Sequence, residues 1–123
     1  MAEVLGRSDW IGKGVLQTTW PNMANGDFGT PLDAPWLPDK TVTVRETFGV
    51  GGSVTIKGTD RNDPAAVTLW DPLNDTRGEG NAMTFTSRDT KTLLENPGKI
   101  APHVTAGDGT TSITVVIVSQ SIS

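Results

Sequence analysis

From position 41 onward apolar and polar residues alternate with a period of two. In Thr41–Phe48, "TVTVRETF", Val42, Val44 and Phe48 share one face and Thr41, Thr43, Arg45 and Thr47 the other, with Glu46 the one polar residue on the apolar side. Ser53–Gly58, "SVTIKG", repeats the pattern, Val54 and Ile56 against Thr55 and Lys57. Successive side chains of a strand point to opposite faces, so each run is expected to be a half-buried strand. The intervening "GVGG" predicts that the two form an antiparallel hairpin. A second hairpin is expected where Asp108-Gly109, a dipeptide tolerant of positive φ, separates His103–Thr105 from Ser112–Gln120. Ile113, Val115 and Ile117 alternate with Thr114, Val116 and Val118. A strand apolar on both faces belongs in the middle of a sheet covered on both sides.

Between these runs lie weaker signals. Val67–Pro72, "VTLWDP", and Met83–Ser87, "MTFTS", read as short strands. Lys99–Thr105, "KIAPHVT", reads as a strand that Pro102 pushes toward an edge or a bulge. Ser87–Gly98, "SRDTKTLLENPG", carries the one helical signal, with Ser87 as N-cap, Asp89 in the first turn, Leu93 and Leu94 near the end and Pro97-Gly98 as the stop.

The first third differs. Prolines at 21, 31, 35 and 38 and glycines at 12, 14, 26 and 29 leave room for one strand, Val15–Trp20. Beyond it, Pro21–Asp39 is expected as an extended arm or long loop. Residues 1–39 thus form an arm with one short strand, and residues 40–123 the folded body. The expected fold is all-β: a single antiparallel β-sandwich, jelly-roll-like, with an extended Pro/Gly-rich N-terminal arm and at most one short helix.

Composition strengthens that view. Of 123 residues 14 are glycine and 8 proline, a bias toward turns and pleated surfaces. There is no cysteine, which excludes disulfides and thiolate metal sites. A net charge of −4, with Lys and Arg scattered, disfavours nucleic acid as a partner. Ile113–Val118 is the longest apolar stretch and too short to span a bilayer, so a soluble chain without a membrane partner is expected. The opening "MAEVLGRSDW" does not read as a secretory signal.

Candidate chemistry is thin. His103 is the sole histidine, and no G-x-S-x-G motif accompanies it, so a structural or solvent-exposed role is expected. Asp60, Asn62, Asp63, Asp71, Asn74, Asp75 and Glu79 form an oxygen-rich region. It lacks calcium-loop spacing, and Asx-turns account for it. The glycine turns lack the Lys-Ser/Thr of a phosphate loop. The expectation is a protein that is not an enzyme and has no cofactor and no metal.

The tryptophans say more. They stand at 10, 20, 36 and 70, three of them in the irregular first third. Large aromatics concentrate at interface centres, and they equally cover the open end of a sandwich. Trp70, in a strand, is expected in the core. Trp10, Trp20, Met23, Phe28 and Trp36 are the candidate interface residues.

The runs "VTIKGTDRNDPAAVTLWDP" and "NAMTFTSRDTKTLLENPGKIAPHVTAGDGTTSITVVIVSQ" resemble small structural proteins of tailed bacteriophages. The likeness lies in the order of parts over residues 41–120: a strand ending in Trp-Asp-Pro, a Thr-rich strand, a Leu-Glu-Asn-Pro-Gly stop, a Gly-Asp turn and a final apolar strand. The resemblance implies a virion component made in the host cytoplasm, a capsid decoration or cement protein on the outer capsid surface that binds the major capsid protein. A homo-oligomer is expected, a dimer before a trimer. Two alternatives stand beside it. One is a head–tail completion or tail component of the virion. The other is a carbohydrate-binding β-sandwich module, which "TIKGTDRNDPAAVTLW" distantly resembles.

Overall fold

The computed structural model describes residues 3–59, 70–78 and 80–121. These form eleven strands: β1 (Glu3–Val4), β2 (Arg7–Gly12), β3 (Val15–Met23), β4 (Phe28–Gly29), β5 (Asp39–Thr47), β6 (Ser53–Thr59), β7 (Asp71–Pro72), β8 (Thr84–Phe85), β9 (Asp89–Thr92), β10 (Lys99–Ala106) and β11 (Ser112–Gln120). The front sheet runs β2-β3-β11-β5-β9, and the back sheet β1-β4-β10-β6-β7, with β8 also on β6. Nested antiparallel pairs, β3 with β11, β4 with β10, β5 with β9 and β6 with β7 and β8, have been rolled so that β11 also meets β5 and β10 also meets β6. That is a jelly-roll sandwich, as the alternation implied.

Neither expected hairpin exists. β5 and β6 lie in different sheets, and so do β10 and β11. Both glycine turns are corners that carry the chain from one sheet to the other. The reason lies in the burial: Val42 and Val44 of β5 and Val54 and Ile56 of β6 are all buried, facing each other across the sandwich. Asp108 and Thr111 tie the two corners together. The Asp108 carboxylate accepts the Val50 N–H at 2.9 Å and the Thr110 N–H at 2.9 Å, and Thr111 Oγ1 donates to the Phe48 carbonyl at 2.9 Å. The Thr110 hydroxyl, which also donates to this carboxylate at 2.7 Å, and then the Val50 and Thr110 N–H groups hold the Asp108 carboxyl down at about 2.

The first forty residues are not a separate arm. They supply four strands, two to each sheet, and bury Leu16, Trp20, Met23, Leu32, Ala34 and Leu37 in the common core. β3 outlasts Pro21 because a bulge there sets Trp20 opposite Val115 and Met23 opposite Ile113, with Asn22 in the left-handed region at φ 53°. Pro102 likewise sits inside an interior strand. Ile100 and Val104 donate their N–H groups to Leu32 and Asp27 on the β4 side, and Pro102 lies between these two bonds, so both survive its missing donor.

The expected helix is also absent: among the described residues there is none, and Asp89–Thr92 is an edge strand paired with β5. Thr90 and Thr92 are β-branched and suit the pleat, and the open edge of β5 offers backbone partners that a two-turn helix could not match. β11 is central, as its apolar content implied, but one-sided. Ile113, Val115 and Ile117 are buried, whereas Val116 and Val118 are half-buried on the outer face.

Candidate interaction site: a tryptophan-lined edge

Trp20 organises the region around β2. Its indole lies in the core and donates to the Thr30 carbonyl at 3.0 Å. Gly6 and Gly29 press against it so closely that a Cβ at either would fall within 2.4 Å and 2.6 Å of the ring. Gly6 also donates to Thr30 Oγ1 at 2.8 Å, which ties the start of β2 to the loop after β4. The gap left between the two sheets at this edge is a cleft of about 340 Å³ lined by residues that include Ser8, Trp10, Leu16, Trp20, Asp33 and Trp36. Trp10 and Trp36, 60% and 62% exposed, flank it. Ser8 and Thr18 share a hydroxyl hydrogen bond of 2.8 Å within it, and Asp33 pairs with Lys99 at 3.1 Å.

The five interface candidates therefore separate. Trp10 and Trp36 meet at the cleft. Trp20 forms its floor, and both Trp20 and Met23 are fully buried, so neither reaches a partner. Phe28 is half-buried on the outer face of the back sheet, since its strand neighbour Gly29 is the residue turned toward Trp20. Leu5 and Ile11, 69% and 56% exposed beside Trp10, were missed by the sequence reading. Their signal was an apolar pair framing Arg7 and Asp9 in "LGRSDWI".

The remaining candidates fall elsewhere. His103 lies half-buried on the outer face of β10, next to a cavity of about 20 Å³ lined by Glu3, Lys57 and Trp70 among others. Its Nδ1 has no hydrogen-bond partner, and burial, then the nearby Lys57 charge, lower its pKa. Trp70 is buried as expected, though on this outer face rather than between the sheets. Of the oxygen-rich region, Asp60, Asn62, Asp63 and Glu79 lie outside the described residues. Asn74 is held by both oxygens of Glu95 at 2.7 and 2.6 Å, and Asp75 is held by Arg77 at 2.7 Å. No cluster of three or more His, Asp or Glu suited to a metal occurs among the described residues.

One charged side chain that the sequence concealed is Lys40. It is 1% exposed, on the inner face of β5, and donates to the carbonyls of Ala34 at 3.0 Å and Leu37 at 2.8 Å and to the Asn96 side chain. Burial pushes its pKa down to about 8. The three acceptors anchor the loop before β5 and the loop before β10 to one ammonium.

No protein-family model matches the chain, and no curated protein matches it. Among solved structures it is similar to the SPBc2 prophage-derived protein YomS, with a TM-score of 0.61 and 12% sequence identity over 92% of this chain and 100% of that one. That likeness is one of fold, over 92% of this chain and the whole of the other.

Proposed function

We propose that this chain is a structural virion protein of a tailed bacteriophage, a decoration or cement protein that binds the outside of the capsid through non-covalent contacts with the major capsid protein. The observation that carries the reading is the cleft at this edge, with Trp10 and Trp36 standing exposed on either side of it. Exposed indoles at the rim of a pre-formed cleft are the anchors that interfaces use. The sandwich beneath them is rigid, so little ordering opposes binding. A fold shared with a prophage-derived protein supports the phage setting. Binding the assembled shell in preference to its separate subunits stabilises it by mass action, and no catalytic group is required.

The test is fractionation of infected-cell particles, asking whether the chain travels with assembled heads at high copy. Trp10→Ala and Trp36→Ala should each weaken capture by about thirtyfold, the loss of about 2 kcal/mol usual for an aromatic anchor. About a dozen copies or fewer per particle would instead mark a head–tail connector. Absence from particles altogether would defeat the reading.

The same cleft favours a second reading, a glycan site. Two exposed tryptophans flank the Ser8 and Thr18 hydroxyls and the Asp33 carboxylate, a combination of stacking faces and polar groups. Quenching of tryptophan fluorescence by an oligosaccharide, lost in Trp36→Ala, would support it.

A further inference from the structure

The outer edge of the front sheet is β2, and every one of its six residues is exposed, so nothing in the described chain covers it. An edge strand points alternate N–H and C=O groups away from its one neighbour, and these await a partner. Natural edges are commonly blunted by shortness, proline or like charge. β2 is six residues long with no proline and no like charges, and its one bulge falls at its end, between Trp10 and Gly12. From the two residues before it, the segment reads Leu5-Gly6-Arg7-Ser8-Asp9-Trp10-Ile11, and the pattern is symmetric about Ser8 in a particular sense. An antiparallel copy of the segment, centred on Ser8, sets Leu5 against Ile11, Gly6 against Trp10 and Arg7 against Asp9, each pair occurring twice. The two apolar residues meet, and the opposite charges meet.

We infer that β2 is the interface of a two-fold homodimer, in which the edges of two copies pair antiparallel about Ser8 and join their front sheets into one continuous sheet. Arg7 and Asp9 are free to make this contact. They register with Thr19 and Gln17 on the outer face, and neither belongs to the two ion pairs of the described residues, Arg77–Asp75 and Lys99–Asp33. Leu5 and Ile11, 69% and 56% exposed, gain cover from each other. Trp10 registers with Leu16, on the opposite, cleft-facing side of the strand, so pairing leaves the cleft's other wall at Trp36 uncovered. The inference does not rest on the function proposed above, and its tests need only the purified full chain.

The chain has no cysteine, so a single introduced thiol reports without background. Residues directly opposite in an antiparallel pair have Cα atoms about 4.5–5.5 Å apart, within disulfide reach. Ser8→Cys, at the axis, should therefore give a covalent dimer under mild oxidation, while Asp89→Cys, exposed on the opposite edge strand, should not. Without cross-linking, Arg7→Asp or Asp9→Arg places like charges opposite each other at both symmetric positions. Each should raise the dimer dissociation constant about tenfold or more by sedimentation analysis, and the double exchange should restore it. Thermal melts of every variant separate dissociation from unfolding. A wild-type chain that stays monomeric at high concentration overturns the inference. So does a Ser8→Cys chain that links no better than Asp89→Cys, or a single reversal that dimerises like the wild type.

Discussion

The two edges of the front sheet solve the same problem in opposite ways. β9 is four residues long and carries Asp89 and Lys91, the latter with its ammonium 5.0 Å from the Phe85 ring centre. It is short and charged, a form that repels a further strand. β2 is longer, fully exposed, and framed by Leu5, Trp10, Ile11 and, across the cleft, Trp36. Each edge also has its own anchor in the core. Trp20, wedged against Gly6 and Gly29, sets the path of β2; Lys40, whose carbonyl accepts the Leu93 N–H, fixes the end of β9. The difference teaches that two edges of one sheet can present opposite chemistry, one short and charged, the other longer and framed by apolar side chains. Exposure alone does not show this, since Asp89 and Thr90 of β9 are exposed as well. The chemistry of what is exposed does.

The largest blow to the comparison is Trp20→Ala. It should cost about 3–5 kcal/mol by chemical denaturation and loosen the β2 side first, seen as faster amide exchange there than at β9. Gly29→Ala acts on the same contact. Its new Cβ would lie 2.6 Å from the indole and 2.8 Å from Pro102 Cδ, and the overpacking should cost about 1–3 kcal/mol.

At the other edge, Lys40→Met strands the carbonyls of Ala34 and Leu37 and should cost about 1–3 kcal/mol at neutral pH. It also changes the alkaline limb of stability. Because the folded-state pKa is lowered to about 8 from 10.5, the unfolded chain binds more protons between those values. Wild-type stability should therefore gain a rising contribution as pH increases from 8 to 10.5, and the variant should lack it in melts across that range.

Asp108→Asn tests the corners that join the sheets, remote from either edge. The carboxyl lies at about 2 when folded against 3.8 unfolded, so its contribution is complete above 3.8 and disappears as pH falls through 2. The variant's melting temperature should be lower at pH 7, and the gap should close in acid.

The smallest effects on stability sharpen the contrast most. Trp10→Ala and Asp89→Ala should each shift stability by no more than about 0.5 kcal/mol, as exposed residues do. Only Trp10→Ala should weaken partner capture; equal loss from both would erase the distinction between the edges.

Strand positions were largely legible from residue 41 on, because alternation marks β5, β6, β10 and β11 directly. The all-β class followed from the same signal. Pairing was not legible. Gly49–Gly52 and Asp108-Gly109 have hairpin chemistry, yet both turn corners, because a strand's partner is chosen by which buried faces meet across the core. The 87–98 segment has a helix start and stop, but a free edge on β5 outweighed two turns of helical propensity. Pro21 and Pro102 signalled breaks that a bulge and a gap beside β4 absorbed. Of the site, Trp10 and Trp36 were named in advance and meet at the cleft. Trp20 and Met23 were named for the same reason, yet they are core.

What this sequence determined unaided was local: which residues alternate, where the chain turns, and that no thiol and only one imidazole are available for chemistry. Those properties depend on neighbours a few positions away, and they specify a β-rich chain. Which indole sits outside, which lysine is swallowed, and which edge is left open were decided only when residues as distant as Leu16 and Ser119, or Lys40 and Asn96, came together. An indole is stabilised by leaving water whether the surface that covers it belongs to its own core or to a partner, and only the packed sandwich separates the two.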